Sequence, residues 1–269
     1  MNYLDGKKLR DEMLADLKAK VSNIENKPTL AAVLVGEDAV SIHYVDLKKK
    51  ICEKIGAKFV LHKYKADISE DYLINKIDEL NNDPEITGIM IQIPLPDHMD
   101  KFEVVNAIAS EKDIDGLRFC GGFKSCFIPP VVQAVLKAVE LSGKRIEESE
   151  MLIIGRGFLV GWPLAQCLEE AVKGLVIADK ETKNLIEISK TADILISAAG
   201  SPNMIKPEMI KNEVVLIDAG TSEIGGKQVG DVDPSSYEKA SYYTPVPGGI
   251  GPLTIAYLME NLVKGQRLK

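Results

Sequence analysis

Thirty residues in the second half of the chain, 150–179, restrict its fold more than any others. Met151-Leu-Ile-Ile154 is a short apolar run, and Gly155-Arg-Gly157-Phe-Leu-Val-Gly161 follows it directly. Residues 163–172 read as a helix, and Gly174-Leu-Val-Ile-Ala-Asp179 reads as a second strand closed by an acid. Strand, glycine turn, helix, strand and terminal acid is the order of a dinucleotide-binding βαβ unit. Glycines let the backbone come close to a pyrophosphate, whose charge rests on the free amides of the helix N-terminus. The glycine spacing alone also suits an ordinary tight turn. Asp179, about twenty residues on, favours a nicotinamide dinucleotide site.

The remaining pattern is of the same kind. Residues 6–25 carry Leu9, Met13, Leu14, Leu17 and Val21 near helical spacing and read as an amphipathic first helix. Strands are expected at 29–35, 58–62 and 87–93, with helices at 41–55, 69–82 and 102–110 between and after them. Gly36 ends the first of these strands, and Gly56 stops the helix before the second. A Gly- and aromatic-rich loop runs from Asp113 to Pro130, and a helix over 131–142 leads into the second half. There, strands are expected at 151–154, 175–178, 194–198, 214–218 and 241–243, and a last helix at 250–264. Alternation of this kind favours parallel sheets covered on both faces. The expected fold class is α/β, with two α/β domains in tandem, the second a Rossmann-type parallel sheet.

Composition excludes several functions. Lys plus Arg is 33 against 40 Asp plus Glu, and neither half has a broad basic excess, which argues against a nucleic-acid partner. No apolar run reaches the roughly eighteen residues of a membrane span, and the start of the chain shows no signal-peptide core, so a cytoplasmic protein is expected. Cys52, Cys120, Cys126 and Cys167 have no C-x-x-C spacing, and only His43, His62 and His98 could join them, so neither a metal site nor a disulfide framework is expected.

Polar residues at strand ends are the candidates for chemistry, because ligands gather at the carboxyl ends of parallel strands. Gln92 lies beside the Pro94-Leu95-Pro96 turn, Asp113 and Asp115 follow the next helix, and Asp218 and Gly220 close a strand in the second half. A strand-end Asp is more often a turn former or a helix cap than a catalyst. Tyr44 and Lys48 lie four apart and share a helix face. Lys49 and Lys50 read as solvated surface, and spacing alone leaves Lys48 there as well. In a cleft, a desolvated amine's pKa would fall towards neutrality, where it can pass protons. The run from Tyr243 to Thr254, rich in Pro and Gly, can place backbone against a flat ligand or form a bare turn.

Six runs together resemble the bifunctional methylenetetrahydrofolate dehydrogenase/methenyltetrahydrofolate cyclohydrolase family, over nearly the whole chain. They are Ser41-Ile-His-Tyr-Val-Asp-Leu-Lys48, Gly88-Ile-Met-Ile-Gln-Ile-Pro-Leu-Pro96, Lys112-Asp-Ile-Asp-Gly116, Gly155-Arg-Gly-Phe-Leu-Val-Gly-Trp-Pro163, Val229-Gly-Asp-Val232 and Thr244-Pro-Val-Pro-Gly-Gly-Ile-Gly-Pro252. The resemblance implies two domains around a cleft. Residues 1–130 would form a folate-binding catalytic domain, with 251–269 packing back on it, and residues 131–250 would form an NAD(P)-binding Rossmann domain. The family's catalytic lysine falls on Lys48, its partner glutamine on Gln92, its folate-stacking tyrosine on Tyr44 and its pterin-binding aspartate on Asp115. Leu95, Pro247, Gly248 and Gly249 fall on the folate side. Gly155, Arg156, Gly157, Val160, Gly161, Asp179 and Lys180 fall on the cofactor side. The implied reactions are hydride transfer from methylenetetrahydrofolate to the nicotinamide, then hydrolysis of the methenyl cation to 10-formyltetrahydrofolate. A homodimer acting on tetrahydrofolate derivatives is also implied.

Three departures bear on the cofactor. Gly157 stands where the family has a serine, and Asp179-Lys180 where it has His-Ser. Those serines help hold the 2′-phosphate of NADP. An Asp there accepts a bond from a free ribose hydroxyl and repels a phosphate, whereas Arg156 and Lys180 attract one. NADP is expected from two cations against one anion, with NAD left open. The third departure, Pro129-Pro-Val-Val-Gln-Ala134, loses a threonine and a glycine that the family carries near the domain junction. Three other readings compete with the bifunctional enzyme: a monofunctional NAD-dependent methylenetetrahydrofolate dehydrogenase, a hydroxy-acid dehydrogenase, and a non-catalytic nucleotide-sensing module. The intact lysine argues against the first. The hydroxy-acid enzyme would need a histidine in the second half, which has none.

Overall fold

In the computed structural model, residues 2–268 are described. In chain order the elements are β1 (Asn2–Tyr3), α1 (Gly6–Ser22), β2 (Thr29–Val35), α2 (Ala39–Lys54), β3 (Lys58–Tyr64), α3 (Glu70–Asn82), β4 (Gly88–Ile91), α4 (Lys101–Asn106), α5 (Leu117–Cys120) and α6 (Pro130–Leu141). There follow β5 (Glu150–Ile154), α7 (Gly161–Leu168), β6 (Gly174–Ala178), α8 (Leu185–Thr191), β7 (Ile194–Ser197), β8 (Val214–Asp218), β9 (Ser222–Ile224), β10 (Lys227–Val229), β11 (Ala240–Tyr243) and α9 (Ile250–Gly265).

The chain divides into two compact units, one made of Asp11–Pro130 with the residues from Ile255 on, the other of the residues through Arg10 with Val131–Thr254. The first unit has a three-stranded parallel sheet in the order β3-β2-β4. All seven residues of the central strand β2 are buried, as expected of a parallel strand covered on both faces. Its core joins Leu14, Leu17 and Val21 of α1 to Leu30, Ala32 and Leu34 of β2, and to Met259, Leu262 and Val263 of α9.

Local chemistry sets the limits of the helices. Helix α1 stops at Ser22, three residues before the expected end, where Lys27 Nζ donates to the carbonyls of Val21, Ser22 and Ile24. Asp38 caps α2 by accepting from the Ser41 amide at 2.7 Å. At its other end the Ala57 amide donates to Cys52 O and the Gly56 amide to Glu53 O, with Gly56 at φ +85°, which is a Schellman ending. Ser69 caps α3 in the same way as Asp38 caps α2.

The second unit has a six-stranded, wholly parallel sheet in the order β1-β11-β8-β7-β5-β6. From β5 the chain moves outward to β6, then back across to β7, so the order reverses between β5 and β7. Such a reversal is where open α/β sheets take up ligands. The two-residue strand β1 pairs with β11, which puts the start of the chain on the edge of this sheet. The expectation had placed those residues with the first half. Two residues carry too little pattern to be read as a strand.

Other differences are short elements. Helix α7 covers 161–168 where 163–172 was expected, and α4 ends at Asn106 instead of residue 110. Helix α8 and the β9–β10 hairpin have no counterpart among the expected elements. The hairpin turns at Gly225 and Gly226, both at positive φ, and a Gly-Gly pair between two polar three-residue strands is a weak signal on paper.

Candidate active site

The helix α2 carries its buried residues at Ser41, Val45 and Cys52. Lys48 completes that spacing as i, i+4, i+7 and i+11, so it lies on the stripe turned toward the sheet. It is half-buried, as is Tyr44, whereas Lys49 and Lys50 are exposed. The stripe was present in the sequence, and it distinguishes Lys48 from its two basic neighbours better than its spacing from Tyr44 does.

Gln92 follows β4 and extends its ladder, its amide donating to Val33 O at 2.9 Å. Lys48 Nζ donates to its side-chain Oε1 at 3.2 Å, and its Nε2 donates to Ile93 O at 2.8 Å. The two bonds fix which way the amide points: oxygen to the lysine, nitrogen to the backbone. Leu95 lies half-buried in the following turn, past the cis Ile93–Pro94 peptide.

Asp115 is the third member. Removal from water raises its carboxyl above the usual range, and the Lys48 charge pulls it the other way, which places the two side chains within electrostatic reach. Asp113, two residues earlier, has a different role. It is fully buried, its Oδ1 accepting from the Leu117 amide at 2.9 Å and its Oδ2 from the Arg118 amide at 3.0 Å and Ser125 Oγ at 2.8 Å. It shapes the loop that presents Asp115. Gly116 is at φ +65°, and a Cβ there would sit 2.7 Å from Pro129 N.

Burial pushes the Asp113 carboxyl up to about 7, against the donors of Ser125, Arg118 and Leu117. A carboxyl raised on folding contributes stability that is full below its unfolded value of about 4 and is lost as pH rises through its folded value. Asp218, raised by burial to about 6, adds in the same direction. These two carboxyls are therefore expected to lower the melting temperature as pH rises from about 5 to about 7, and Asp113→Asn should flatten part of that slope. His62, whose pKa burial lowers, contributes in the opposite direction. Calorimetry of parent and variant across the window checks this, and an unchanged slope in Asp113→Asn would contradict it.

In the second unit the glycine turn leaves the carboxyl end of β5 at the reversal of strand order. Gly155 is at φ +104°, and a Cβ on it would lie 2.4 Å from Ala198 O. A Cβ on Gly161 would lie 1.8 Å from Gly155 O. Gly157 is exposed, with nothing within 4 Å of where its Cβ would be, and Arg156 is exposed beside it. Val160 is half-buried, and its carbonyl accepts the Leu164 amide at 2.9 Å in the first turn of α7. The turn is thus closed by glycine on its protein side and open above Gly157, as a backbone cradle for a pyrophosphate must be.

Asp179 and the exposed Lys180 follow β6, the strand paired with β5. Asp179 Oδ1 accepts from the Glu181 amide at 3.0 Å and from Thr182 Oγ1 at 3.3 Å, so part of its charge is drawn into its own turn. Pro247, Gly248 and Gly249 also belong to this unit. Gly248 is at φ +113°, the Val246–Pro247 peptide is cis, and a Cβ on Gly6 would lie 1.9 Å from Gly249 O. Asp218 and Gly220, candidates at a strand end, are interior structure: Asp218 accepts from the amides of Gly220, Asp231 and Val232.

Residues 4–115 match the family described as tetrahydrofolate dehydrogenase/cyclohydrolase, catalytic domain, and residues 129–269 match its NAD(P)-binding domain. The chain belongs to this family. It is 39% identical to the bifunctional protein FolD of Hydrogenobaculum sp. over 99% of each chain, and 41% identical to that of Clostridium novyi over 97% of this chain and 98% of the relative. Among solved structures it resembles the Campylobacter jejuni bifunctional enzyme FolD, with a TM-score of 0.94 and 36% identity over 100% of this chain and 99% of that one. It also resembles the Trypanosoma brucei FolD, solved with NADP cofactor and inhibitor, with a TM-score of 0.91 and 29% identity over 99% and 97% of the two chains. As a member, the chain is an enzyme with methylenetetrahydrofolate dehydrogenase and methenyltetrahydrofolate cyclohydrolase activities.

Proposed function

We propose that Lys48, Gln92 and Asp115 carry the folate chemistry of this enzyme and that the Gly155–Gly161 turn receives NADP. The observation that carries the first half is the Lys48 Nζ to Gln92 Oε1 bond, made by a lysine on the sheet-facing stripe of its helix. In the hydrolysis, Lys48 takes a proton from the water that attacks the methenyl carbon. A proton is delivered to N5 as its bond to that carbon breaks, leaving the formyl group on N10 and releasing one net proton. Gln92 holds the Lys48 amino group in place through an oxygen that its other bond prevents from turning away, and it is in the uncharged amine form that Lys48 accepts the proton from water. Asp115, with a carboxyl raised by burial, holds the polar edge of the pterin, and Tyr44, one helical turn before Lys48, stacks on the pterin face. Leu95, in the turn after Gln92, completes the folate side of the first unit.

When bound, the dinucleotide supplies the hydride acceptor. Gly157, Val160 and the turn glycines would hold its pyrophosphate side, and Arg156 and Lys180 would pair with the 2′-phosphate. The engagement of Asp179 in its own turn lessens its repulsion of that phosphate, which favours NADP. The NADP named for the Trypanosoma brucei relative agrees with this reading. The reading extends to a cytoplasmic homodimer; no described helix is long and apolar enough to cross a membrane.

The test is to add methylenetetrahydrofolate with NADP or NAD and to follow reduced nicotinamide and methenyl absorbance together. Reduced nicotinamide should appear faster with NADP, and the methenyl signal should decay. Cofactor binding without absorbance change would favour a sensing module, and methenyl accumulation without decay would favour a dehydrogenase alone. Asp179→Ser is expected to raise the preference for NADP over NAD by roughly ten-fold, about 1.4 kcal/mol; an unchanged ratio would remove Asp179 from cofactor choice.

A further inference from the structure

The most heavily bonded carboxylate described in the second unit lies outside every site named so far. Asp231 is fully buried, and its Oδ2 accepts from Ser197 Oγ at 2.8 Å, the Ala199 amide at 2.8 Å and the Gly200 amide at 3.2 Å. Its Oδ1 accepts from the Ser201 amide at 2.7 Å. All four donors come from residues 197–201, where β7 ends beside the reversal of strand order. A buried charge satisfied by backbone amides in this way is costly to disturb, because each freed donor is left without water.

Asp231 is itself held from behind. Asp218 accepts its amide at 3.2 Å and the Val232 amide at 2.8 Å, and the Ile205 amide donates to Asp231 O at 2.9 Å. A Cβ on Gly220 would lie 2.2 Å from the Asp231 carboxyl carbon, and one on Gly230 would lie 2.1 Å from Asp218 Oδ2. The run Val229-Gly-Asp-Val232, one of the six that carry the resemblance, thus has a physical purpose. It seats one carboxylate under one loop.

That loop touches the glycine turn. Ala198 O is the atom that a Cβ on Gly155 would meet, and the Ala198 amide donates to Ile154 O at 2.7 Å. We propose that Asp231 is a positioning residue for the dinucleotide: by gathering the amides of Ala199, Gly200 and Ser201 it sets Ala198 O against Gly155, and so fixes the turn that receives the pyrophosphate. The inference rests on the reading that this turn binds NADP.

Asp231→Asn leaves an amide that accepts at only one end, so either Ser201 or the Ser197–Gly200 group loses its acceptor. The NADP dissociation constant, measured by titration calorimetry, should rise at least ten-fold. Hydrogen exchange of the 199–201 amides in cofactor-free protein should quicken by a similar factor. Hydrolysis of methenyltetrahydrofolate, which uses no dinucleotide, should stay within two-fold of the parent. Ser197→Ala removes one donor from a strand that otherwise keeps its pairing, and should raise the NADP dissociation constant several-fold with the same split. It decides the matter if the first variant does not fold. Parent-like NADP binding in the variants, or NADP binding and hydrolysis falling together in Ser197→Ala, would overturn the inference. A parent protein that binds neither dinucleotide would overturn it together with the reading of the turn.

Discussion

Lys48→Met is expected to lower the rate of methenyltetrahydrofolate hydrolysis by about 10²–10⁴-fold, the range of a lost general acid–base group. Methionine keeps most of the length of the side chain on the stripe shared with Ser41, Val45 and Cys52, so the helix should stay in place. What is lost is the donor to Gln92 Oε1 and the charge that opposes the burial of Asp115. NADP affinity should remain within about two-fold of the parent, because the glycine turn is built in the other unit. Stopped-flow decay of methenyl absorbance measures the first quantity and calorimetric titration the second. Hydrolysis at the parent rate would remove the proton-transfer role from Lys48. A loss of hydrolysis accompanied by a similar loss of NADP binding would point to damage of the fold.

Two glycines of one motif should respond in opposite ways. Gly161→Ala puts a methyl 1.8 Å from Gly155 O, a backbone atom that cannot rotate aside. Either α7 or the turn must move, and overpacking of a close-packed site costs about 1–3 kcal/mol or more. NADP binding is expected to weaken by at least two orders of magnitude, with a clear drop in melting temperature. Gly157→Ser, which puts a serine where the family has one, meets nothing within 4 Å. It should leave stability within about 0.5 kcal/mol of the parent, as surface substitutions do. A Gly161→Ala protein that binds NADP as the parent does would mean that the turn is not where the pyrophosphate lies.

The contrast between these glycines shows what a motif conveys and what it omits. Spacing identifies the turn, but it does not say which glycine faces protein and which faces open space. The acids behave alike. Asp113 and Asp115 are two residues apart and alike in position, and only the resemblance singles out Asp115; in the fold one organises a loop from the interior and the other stands near a lysine. Asp218 and Asp231 read as a strand end and a resemblance motif; in the fold they are a buried pair that shapes a distant loop.

Composition and periodicity determined by themselves that the chain is α/β, that its central strands run parallel, and where the glycine turn and the principal helices fall. Those properties depend on residues a few positions apart, so a local pattern records them. The resemblance implies that Lys48 and Gln92 are partners, and the tertiary structure supplies the bond between them across 44 positions. The tertiary structure alone decided that β1 joins the second unit's sheet and that Asp231 gathers the amides of a loop some thirty residues before it. Each of these is a contact between distant segments, and its energy comes from desolvation and hydrogen-bond geometry that arise only once the segments are packed together.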